Sequence, residues 1–266
     1  MSLRPYLQLV RLPAVFTAMA DICLAALAAH ALPGAWAGFV LLLLASSCLY
    51  LSGMAWNDFF DVEQDRRERP SRPIPSGKVS RGAAGLLASG LMGLGLLLAL
   101  LAGWRESGRF FSAALALAGL LAGAILLYDG WLKRTWAGPL GMGACRFLNV
   151  LLGLTLADRL GWPWGAHLAL VVGLYVVGVT WFARTEARTS SQAALAGAAL
   201  VLFASLLVAL AVPARFEPGT ASLLFPYLLV GLGFLIGIPV ARAISSPSPA
   251  RVQSAVRRAL AGLVVL

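Results

Sequence analysis

Long apolar stretches separated by short polar loops follow one another along the whole chain. Stretches of about 20 residues contain almost no ionisable side chain, and this is the length that a helix needs to cross a bilayer. They predict membrane-spanning helices at residues 12–32, 36–56, 82–104, 110–130, 139–158, 165–184, 193–213 and 222–243. A ninth helix is expected to begin near Arg258, where the remaining apolar residues, 259–266, are too few to cross. We therefore expect a last helix that is truncated.

This pattern predicts an all-α fold, a polytopic membrane bundle of about nine transmembrane helices around a central cavity. We expect it to form a single integral-membrane domain over residues 1–266. Small residues at helical spacing, Gly119 with Gly123 and Gly233 with Gly237, are expected to let helix backbones approach closely. The chain is 60% hydrophobic and 12% charged, whereas an ordinary globular domain is about half apolar and a quarter charged. No soluble domain fits between the apolar stretches.

The formal net charge of +10 is explained by topology better than by nucleic-acid binding. The basic residues lie in short loops rather than on one amphipathic face, so we expect no nucleic-acid partner. Sixteen of the 21 lysines and arginines fall on the side that holds the N-terminus, and Arg146 lies within the fifth span. Four fall on the other side, at Arg105, Arg109, Arg159 and Arg215. Because basic loops mark the cytoplasmic side, we expect the N-terminus and residues 57–65 there.

An acidic motif, Asn57-Asp58-Phe59-Phe60-Asp61-Val62-Glu63-Gln64-Asp65, stands between the second and third predicted spans. If the segment is helical, Asp58, Asp61 and Asp65 lie within about 60° of one another around the helix axis, with Asn57 one turn before Asp61. Carboxylates this close repel one another unless a cation joins them, and Mg²⁺ prefers oxygen ligands of this kind. The spacing predicts a metal site. The alternative is a solvated helix at the membrane edge.

Two basic loops are expected on the same membrane face as the acidic motif. The first contains Arg72 and Lys78 within a proline-rich segment, and the second contains Lys133 and Arg134 shortly after Tyr128. Cations beside clustered carboxylates suggest a polyanion, such as a diphosphate, held between a metal and these side chains. The alternatives are ordinary positive-inside residues and, for Tyr128, an aromatic residue of the membrane interface.

A third loop on this face begins after the sixth span and contains one carboxylate. Glu186 and Ser190, four residues apart, are predicted to present two oxygens to a cation from the opposite side of a cavity, and Arg184 precedes them. The alternative is a loop at the membrane edge without a ligand.

Polar residues within the apolar stretches predict a cavity or a wet interior. Asp21 lies in the first span, and Arg146 is followed by Asn149 on the same helical face. Exposing a charged side chain to lipid costs at least about 3 kcal/mol, so these residues are expected to face the bundle interior. We interpret them as cavity-lining, and the alternative is a polar pair within the bundle that has no substrate role.

Together these motifs resemble the UbiA superfamily of intramembrane prenyltransferases. Asn57, Asp58, Asp61 and Asp65 fill that family's motif Asn-Asp-x-x-Asp-x-x-x-Asp, and residues 72–77 resemble its Arg-Pro-x-x-x-Gly segment. Tyr128 with the Lys133–Arg134 pair resembles the next conserved loop. The family's second motif, Tyr-Ala-x-x-Asp-x-x-x-Asp, falls on residues 182–190, where three of its positions are Phe182, Glu186 and Ser190. Residues 180–187 look more like the EboC-like branch.

The resemblance implies an enzyme that uses Mg²⁺ to transfer an isoprenyl group from its diphosphate to a hydrophobic or amphipathic acceptor within the bilayer. It implies catalytic roles for Asp58, Asp61, Asp65 and Glu186, and metal ligands at Asn57, Asp61, Asp65, Glu186 and Ser190. The diphosphate would bind Arg72, Lys78, Lys133, Arg134 and Arg184. The cavity would be lined by Asp21, Tyr128, Arg146 and Asn149.

Two other functions remain open on the sequence alone. A non-catalytic protein that binds an isoprenoid or lipid diphosphate within a biosynthetic or export assembly would also explain the incomplete second motif. A secondary transporter would also place charges within the membrane, but the acidic motif lies at the membrane edge and broken helices are not evident.

Overall fold

The computed structural model describes residues 3–32, 34–157, 163–184, 191–211 and 222–265, and all regular secondary structure in these ranges is helical. This confirms the prediction of an all-α fold. The chain forms two compact units. The first contains Met1–Thr135 and Leu148–Leu160, and the second contains Trp136–Phe147 and Gly161–Leu266. The assignment of residues 1–266 to a single domain stays a prediction.

The first unit contains the N-terminal helices of the chain and, among the described residues, three short 3-10 turns, at Leu12–Val15, Leu132–Arg134 and Thr155–Ala157. In chain order its helices are α1 (Arg4–Leu9), α2 (Phe16–Ala28), α3 (Trp36–Phe60), α4 (Val62–Glu68), α5 (Arg81–Ser107) and α6 (Ala113–Gly130). Helix α7 (Gly138–Leu154) begins in the second unit and ends in the first, where a 3-10 turn, Thr155–Ala157, follows it. The second unit also contains α8 (Pro163–Ala183), α9 (Gln192–Leu210), α10 (Phe225–Ser245) and α11 (Pro249–Val265).

Seven of the described helices, α3 and α5 to α10, are long and apolar enough to cross a membrane. The protein is therefore an integral, multi-pass membrane protein. The predicted count of about nine spans is not confirmed, because the first predicted span, residues 12–32, is a shorter apolar helix, Leu12–Ala28. Local chemistry sets several helix ends. Ser80 and Ser112 accept hydrogen bonds from the first turns of α5 and α6, and Gly108, whose φ is +68°, directly follows the last residue of α5.

Helix α11 differs from the predicted ninth helix. It begins at Pro249 rather than near Arg258, because proline is well suited to the first turn of a helix and the Ser248 hydroxyl accepts a hydrogen bond from the Arg251 N–H. One face is buried, through Val252, Ala255, Val256, Ala259 and Leu263, while its arginines are exposed. The helix is therefore amphipathic, with the basic residues on the side away from the core.

The core of the first unit is built around α3, which packs against α2, α5 and α6. Gly95 lets α5 approach α3 closely, since a Cβ there would lie 3.1 Å from the Ala45 carbonyl oxygen. The predicted close approach at Gly119 and Gly123 is wrong for the described part of the chain, because both are exposed and no described heavy atom lies within 4 Å of a Cβ built there. In the second predicted pair, Gly233 with Gly237, a Cβ at Gly237 would lie near the side chain of Phe203 and not near a described helix backbone.

Candidate functional site: an acid–base network at the end of helix α3

The acidic motif spans a break between two helices. Helix α3 ends at Phe60, Asp61 has φ −94° and ψ 8°, and α4 begins at Val62. The predicted single helical stripe is therefore interrupted at Asp61, although the Asp61 and Asp65 N–H groups still donate to carbonyls four residues earlier. As a result, Asp58 and Asp65, on the two sides of the break, share one cation, Arg72. Asp61 instead contacts Lys133 and Arg134.

Arg72 joins the carboxylates of Asp58 and Asp65. Its Nη1 donates to Asp58 Oδ1 at 3.0 Å and to Asp65 Oδ2 at 2.6 Å. Both aspartates are only 3% exposed, and charges that are this buried need a close partner of opposite sign. The predicted neighbours Asp58, Asp65 and Arg72 therefore do come together in the structure.

The loop that carries Arg72 is held by its own turns and by two apolar side chains. The Ser76 N–H donates to the Arg72 carbonyl, and the Val79 N–H donates to the Pro73 carbonyl. Ile74 and Val79 are buried in a cluster with residues from α1, α3, α4 and α5. The loop therefore has a defined path, which holds the Arg72 backbone over the acidic motif.

Arg11 is a second cation at Asp58 and was not predicted as part of the site. Its Nη2 donates to Asp58 Oδ1 at 3.0 Å, and its backbone has φ 49° and ψ 49°, a left-handed conformation that is rare outside glycine, asparagine and aspartate. On the sequence it is one of many basic residues at a membrane edge. No local spacing connects it to a carboxylate 47 positions away.

Lys133 lies between two other carboxylates, those of Asp61 and Asp129. Its Nζ is 2.7 Å from Asp61 Oδ2 and 3.9 Å from Asp129 Oδ1. The 3-10 turn that follows α6 places it there, and Arg134 in the same turn donates to Asp61 Oδ1 at 3.2 Å. The two predicted diphosphate ligands of this loop are thus bound to the central aspartate of the motif.

Asp129 is a site residue that the motif analysis did not single out. It is 3% exposed and accepts a hydrogen bond at 3.0 Å from Asn57 Nδ2. Its position in the sequence could have identified it. Asp129 lies in the last turn of a membrane-spanning helix, four residues before Lys133, and burying a carboxylate there is energetically costly unless it has a function or a partner. We define the acid–base network by these side chains: Arg11, Asn57, Asp58, Asp61, Asp65, Arg72, Asp129, Lys133 and Arg134.

The network fits Mg²⁺ in the chemistry of its donors but is not a metal cage. Its acidic and amide side chains supply hard oxygen atoms, which Mg²⁺ prefers. Among the described residues, no group of three or more His, Cys, Asp or Glu side chains is placed to hold a metal ion. This agrees with the usual binding of Mg²⁺, through one or two carboxylates together with the phosphates of a substrate.

Several predicted site residues lie outside the network. Lys78 is exposed and makes no ion pair with a described residue. Arg184, in the second unit, is exposed and donates to the Trp136 carbonyl at 3.3 Å. Tyr128 is half-buried, and Glu186 and Ser190 lie outside the described residues. Their predicted roles stay predictions.

A buried polar cluster lies deeper in the first unit. Asn149 Nδ2 donates to Asp21 Oδ2 at 2.8 Å and to the Ala18 carbonyl at 3.0 Å, and the Ser46 hydroxyl donates to Asn149 Oδ1 at 2.7 Å. Arg146, in the second unit, is also buried. The predicted association of Asp21 and Asn149 with the interior is therefore observed, while a cavity role for these residues stays a prediction.

Comparison with known proteins identifies one family over most of the chain. The model of the UbiA prenyltransferase family matches residues 14–261. Two similar relatives are digeranylgeranylglyceryl phosphate synthases. That of Metallosphaera sedula is 36% identical over 137 residues, which cover 50% of this chain and 44% of the relative. That of Saccharolobus solfataricus is 32% identical over 158 residues, covering 58% and 52%. The chain thus spans about half the length of these relatives.

Solved structures of similar fold include two UbiA homologues. The apo structure of a homologue from Aeropyrum pernix K1 has a TM-score of 0.72 and 21% identity, covering 95% of this chain and 94% of the other. A homologue from Archaeoglobus fulgidus, bound to GPP and Mg²⁺, has a TM-score of 0.59 and 14% identity, covering 98% and 100%. At these identities the likeness concerns the fold.

Proposed function

Because the chain belongs to the UbiA prenyltransferase family, we propose that it is a Mg²⁺-dependent enzyme that transfers an isoprenyl group from its diphosphate to an acceptor within the membrane. The observation that carries the proposal is the position of Lys133 between the carboxylates of Asp61 and Asp129. A cation held there by two carboxylates marks a place where positive charge is favourable and where a phosphate has a donor within reach.

The charge of the network supports joint binding of a metal and a diphosphate. Four carboxylates face four cationic side chains, Arg11, Arg72, Lys133 and Arg134. A diphosphate alone would add negative charge beside the carboxylates, and a divalent cation alone would add positive charge beside the arginines and lysine. Together they add little net charge, so each is expected to strengthen the binding of the other.

Arg72 and Lys133 are best suited to bind the diphosphate. Their side chains are 19% and 11% exposed, and each already has a carboxylate at hydrogen-bond distance. When a phosphate arrives, each can exchange a carboxylate oxygen for a phosphate oxygen without leaving its place. Asn57, Asp61 and Asp65 would then be free to hold Mg²⁺, with Asp129 beside them.

The transfer needs a stable leaving group and an interior that excludes water. The isoprenyl C–O bond breaks with its electron pair on the diphosphate, the acceptor donates a pair to the isoprenyl carbon, and the acceptor then loses a proton. Arg72 and Lys133 donate hydrogen bonds to the phosphate oxygens on which this charge develops. Bound Mg²⁺ would neutralise further charge on the diphosphate. The apolar helices keep water from the allylic carbon.

The proposal extends to residues and substrates for which the support is indirect. Glu186 and Ser190 are proposed as ligands of a second metal, with Lys78 and Arg184 as outer phosphate contacts, on the motif resemblance. The acceptor is proposed to be hydrophobic or amphipathic. The relatives' name motivates a test of geranylgeranyl diphosphate with geranylgeranylglyceryl phosphate. The distribution of loop charges supports a cytoplasmic position for the N-terminus and the acidic motif.

The test is the formation of prenylated lipid by the purified full chain in nanodiscs. Prenyl diphosphates of several lengths and a panel of lipid and aromatic acceptors are incubated with and without Mg²⁺, and products and released diphosphate are measured. Asp61→Asn and Lys133→Gln are expected to lower turnover by about a hundredfold or more. Glu63→Gln is the matched control, because Glu63 is exposed in the same motif and its one ion pair among the described residues is with Arg66. Unchanged turnover in Asp61→Asn would refute the proposed site.

A second candidate function is supported by one sequence feature, the serine at position 190 in place of an aspartate. A protein that binds a prenyl diphosphate with Mg²⁺ but does not transfer the prenyl group would keep the acid–base network and have lost the second motif. It would bind the donor in the same assay and release no diphosphate with any acceptor. Under the enzyme proposal, Ser190→Asp raises turnover, whereas in a binding protein it changes metal affinity alone.

A further inference from the structure

The second unit contains a basic groove between α10 and α11, about 660 Å³ in volume. We call it the α10–α11 groove. It is lined by three arginines and three serines, Arg242, Arg251, Arg258, Ser245, Ser246 and Ser254, with an apolar edge on α10. All of these residues lie within the second unit, and none belongs to the acid–base network. The groove is therefore separate from the candidate site.

The arginines of the groove have no acidic partner among the described residues. The described part of the second unit contains no aspartate or glutamate. Arg251 Nη1 donates to the Ser246 carbonyl at 3.2 Å, which orients the side chain but leaves its charge uncompensated. Like charges around one cavity repel one another, so the groove favours an anion that contacts all three arginines.

The sequence places these groups on matching faces of the two helices. Arg251, Ser254 and Arg258 are spaced i, i+3 and i+7 along α11, which brings them onto one face. Arg242 is in the last turn of α10. Arginine and serine side chains together offer the N–H and O–H donors that a phosphate group accepts. The chemistry of the groove is thus that of a phosphate site.

The apolar edge of the groove indicates which phosphate would bind. Ile238 lines the groove, and Phe234 stands one turn before it on α10. Phe234, Ile238 and Arg242 are each four residues apart, so the three side chains form one stripe along α10. Both apolar side chains are exposed, on a helix long and apolar enough to cross a membrane. In a bilayer this stripe contacts acyl chains and ends at the arginines. A phosphate attached to acyl chains can contact both the arginines and the apolar stripe, whereas a soluble phosphate can contact only the arginines.

We propose that the α10–α11 groove binds the headgroup phosphate of an anionic membrane phospholipid, with an acyl chain along Phe234 and Ile238. This binding does not depend on the proposed transfer reaction. It holds the amphipathic helix α11 against the end of α10, because the lipid phosphate then contacts arginines of both helices.

The test is lipid binding by the delipidated full chain in detergent, followed by native mass spectrometry. Phosphatidylglycerol is titrated against phosphatidylcholine, and glycerol 3-phosphate is added as a soluble competitor. We expect phosphatidylglycerol to bind in preference to phosphatidylcholine. Arg251→Gln and Arg258→Gln should each lower its apparent affinity about fivefold, the effect of one basic residue near an anionic surface. Arg257→Gln is the matched control, since Arg257 is exposed on the same helix but does not line the groove.

Three results would overturn the proposal. An equal loss of affinity in Arg257→Gln would show that surface charge alone attracts the lipid. Equal binding of the two lipids would exclude recognition of an anion, and complete displacement by glycerol 3-phosphate would assign the groove to a soluble phosphate. If a variant fails to elute as a monodisperse protein, the wild-type chain still tests the proposal, because phosphatidylglycerol should raise its unfolding temperature more than phosphatidylcholine does.

Discussion

Replacement of Arg72 by glutamine tests whether the acid–base network holds this end of the first unit together. The Arg72 side chain is 19% exposed, and the side chains of its two partners, Asp58 and Asp65, are 4% and 5% exposed. The variant leaves Asp65 without a cation among the described residues and leaves Asp58 with Arg11 alone. The substitution therefore removes the guanidinium group that two buried carboxylates share.

The expected cost follows from the burial of these partners. Removing one member of a buried ion pair lowers the free energy of unfolding by about 3 kcal/mol or more, because the remaining charge stays buried without compensation. The matched control is Arg66→Gln, whose ion pair with Glu63 joins side chains that are 60% and 74% exposed. Such an exposed pair contributes about 0.5 kcal/mol or less. In the double variant Arg72→Gln/Asp65→Asn, removal of the second charge should recover most of the loss.

The assay is unfolding in mixed micelles without Mg²⁺ or diphosphate, with tryptophan fluorescence as the signal. The four proteins, wild type, Arg72→Gln, Asp65→Asn and the double variant, form a mutant cycle that isolates the coupling of the two side chains. The reasoning would be refuted if Arg72→Gln cost no more than Arg66→Gln. It would also be refuted if the double variant were no more stable than Arg72→Gln.

Three further substitutions test packing and buried polar contacts. Gly95→Ala should lower the free energy of unfolding by about 1–3 kcal/mol because a Cβ there overlaps α3. Gly93→Ala should not, because no described heavy atom lies within 4 Å of a Cβ built there, and the same micelle assay distinguishes the two variants. Asn149→Leu should cost about 1–3 kcal/mol because it leaves the Asp21 carboxylate without this donor, and Asn149→Gln should be milder. Tyr175→Phe removes a 2.6 Å hydrogen bond to α11 and should increase amide exchange in that helix.

The membrane spans were the most predictable part of this protein. A helix that crosses lipid must bury every backbone group internally and present apolar side chains, so hydropathy alone locates it. The predicted span 36–56 lies within α3, and the predicted span 82–104 lies within α5. Helix α11 was placed wrongly for the same reason, since only half of its surface is apolar and its arginines interrupt the apolar run.

The residues of the acid–base network were predictable in type and less so in their contacts, while their functional roles stay predictions. The motif spacing identified Asp58, Asp61 and Asp65, and the neighbouring loop identified Arg72. The interruption at Asp61 was not predicted, because periodicity assumes that a helix continues until a proline or glycine ends it.

Contacts between distant parts of the chain could not be predicted from local sequence patterns. Asn57 and Asp129 are 72 residues apart, and Arg11 and Asp58 are 47 apart. Such pairs are set by how α1, α3 and α6 pack against one another, and no periodicity within one helix contains that information. The sequence does support one general rule, that an ionisable residue at the end of a membrane span needs a partner. Applied to Asp129, this rule would have found it.

The most direct test of the central claim is whether Mg²⁺ and a prenyl diphosphate bind the acid–base network together. Calorimetric titrations of the full chain in nanodiscs would measure binding of an unreactive geranyl thiolodiphosphate with and without Mg²⁺, and of Mg²⁺ with and without the analogue. We predict that each tightens the other by the same factor, about tenfold or more. Asp61→Asn should abolish this coupling and Glu63→Gln should preserve it. Independent binding of the two ligands to the wild-type protein would contradict the account.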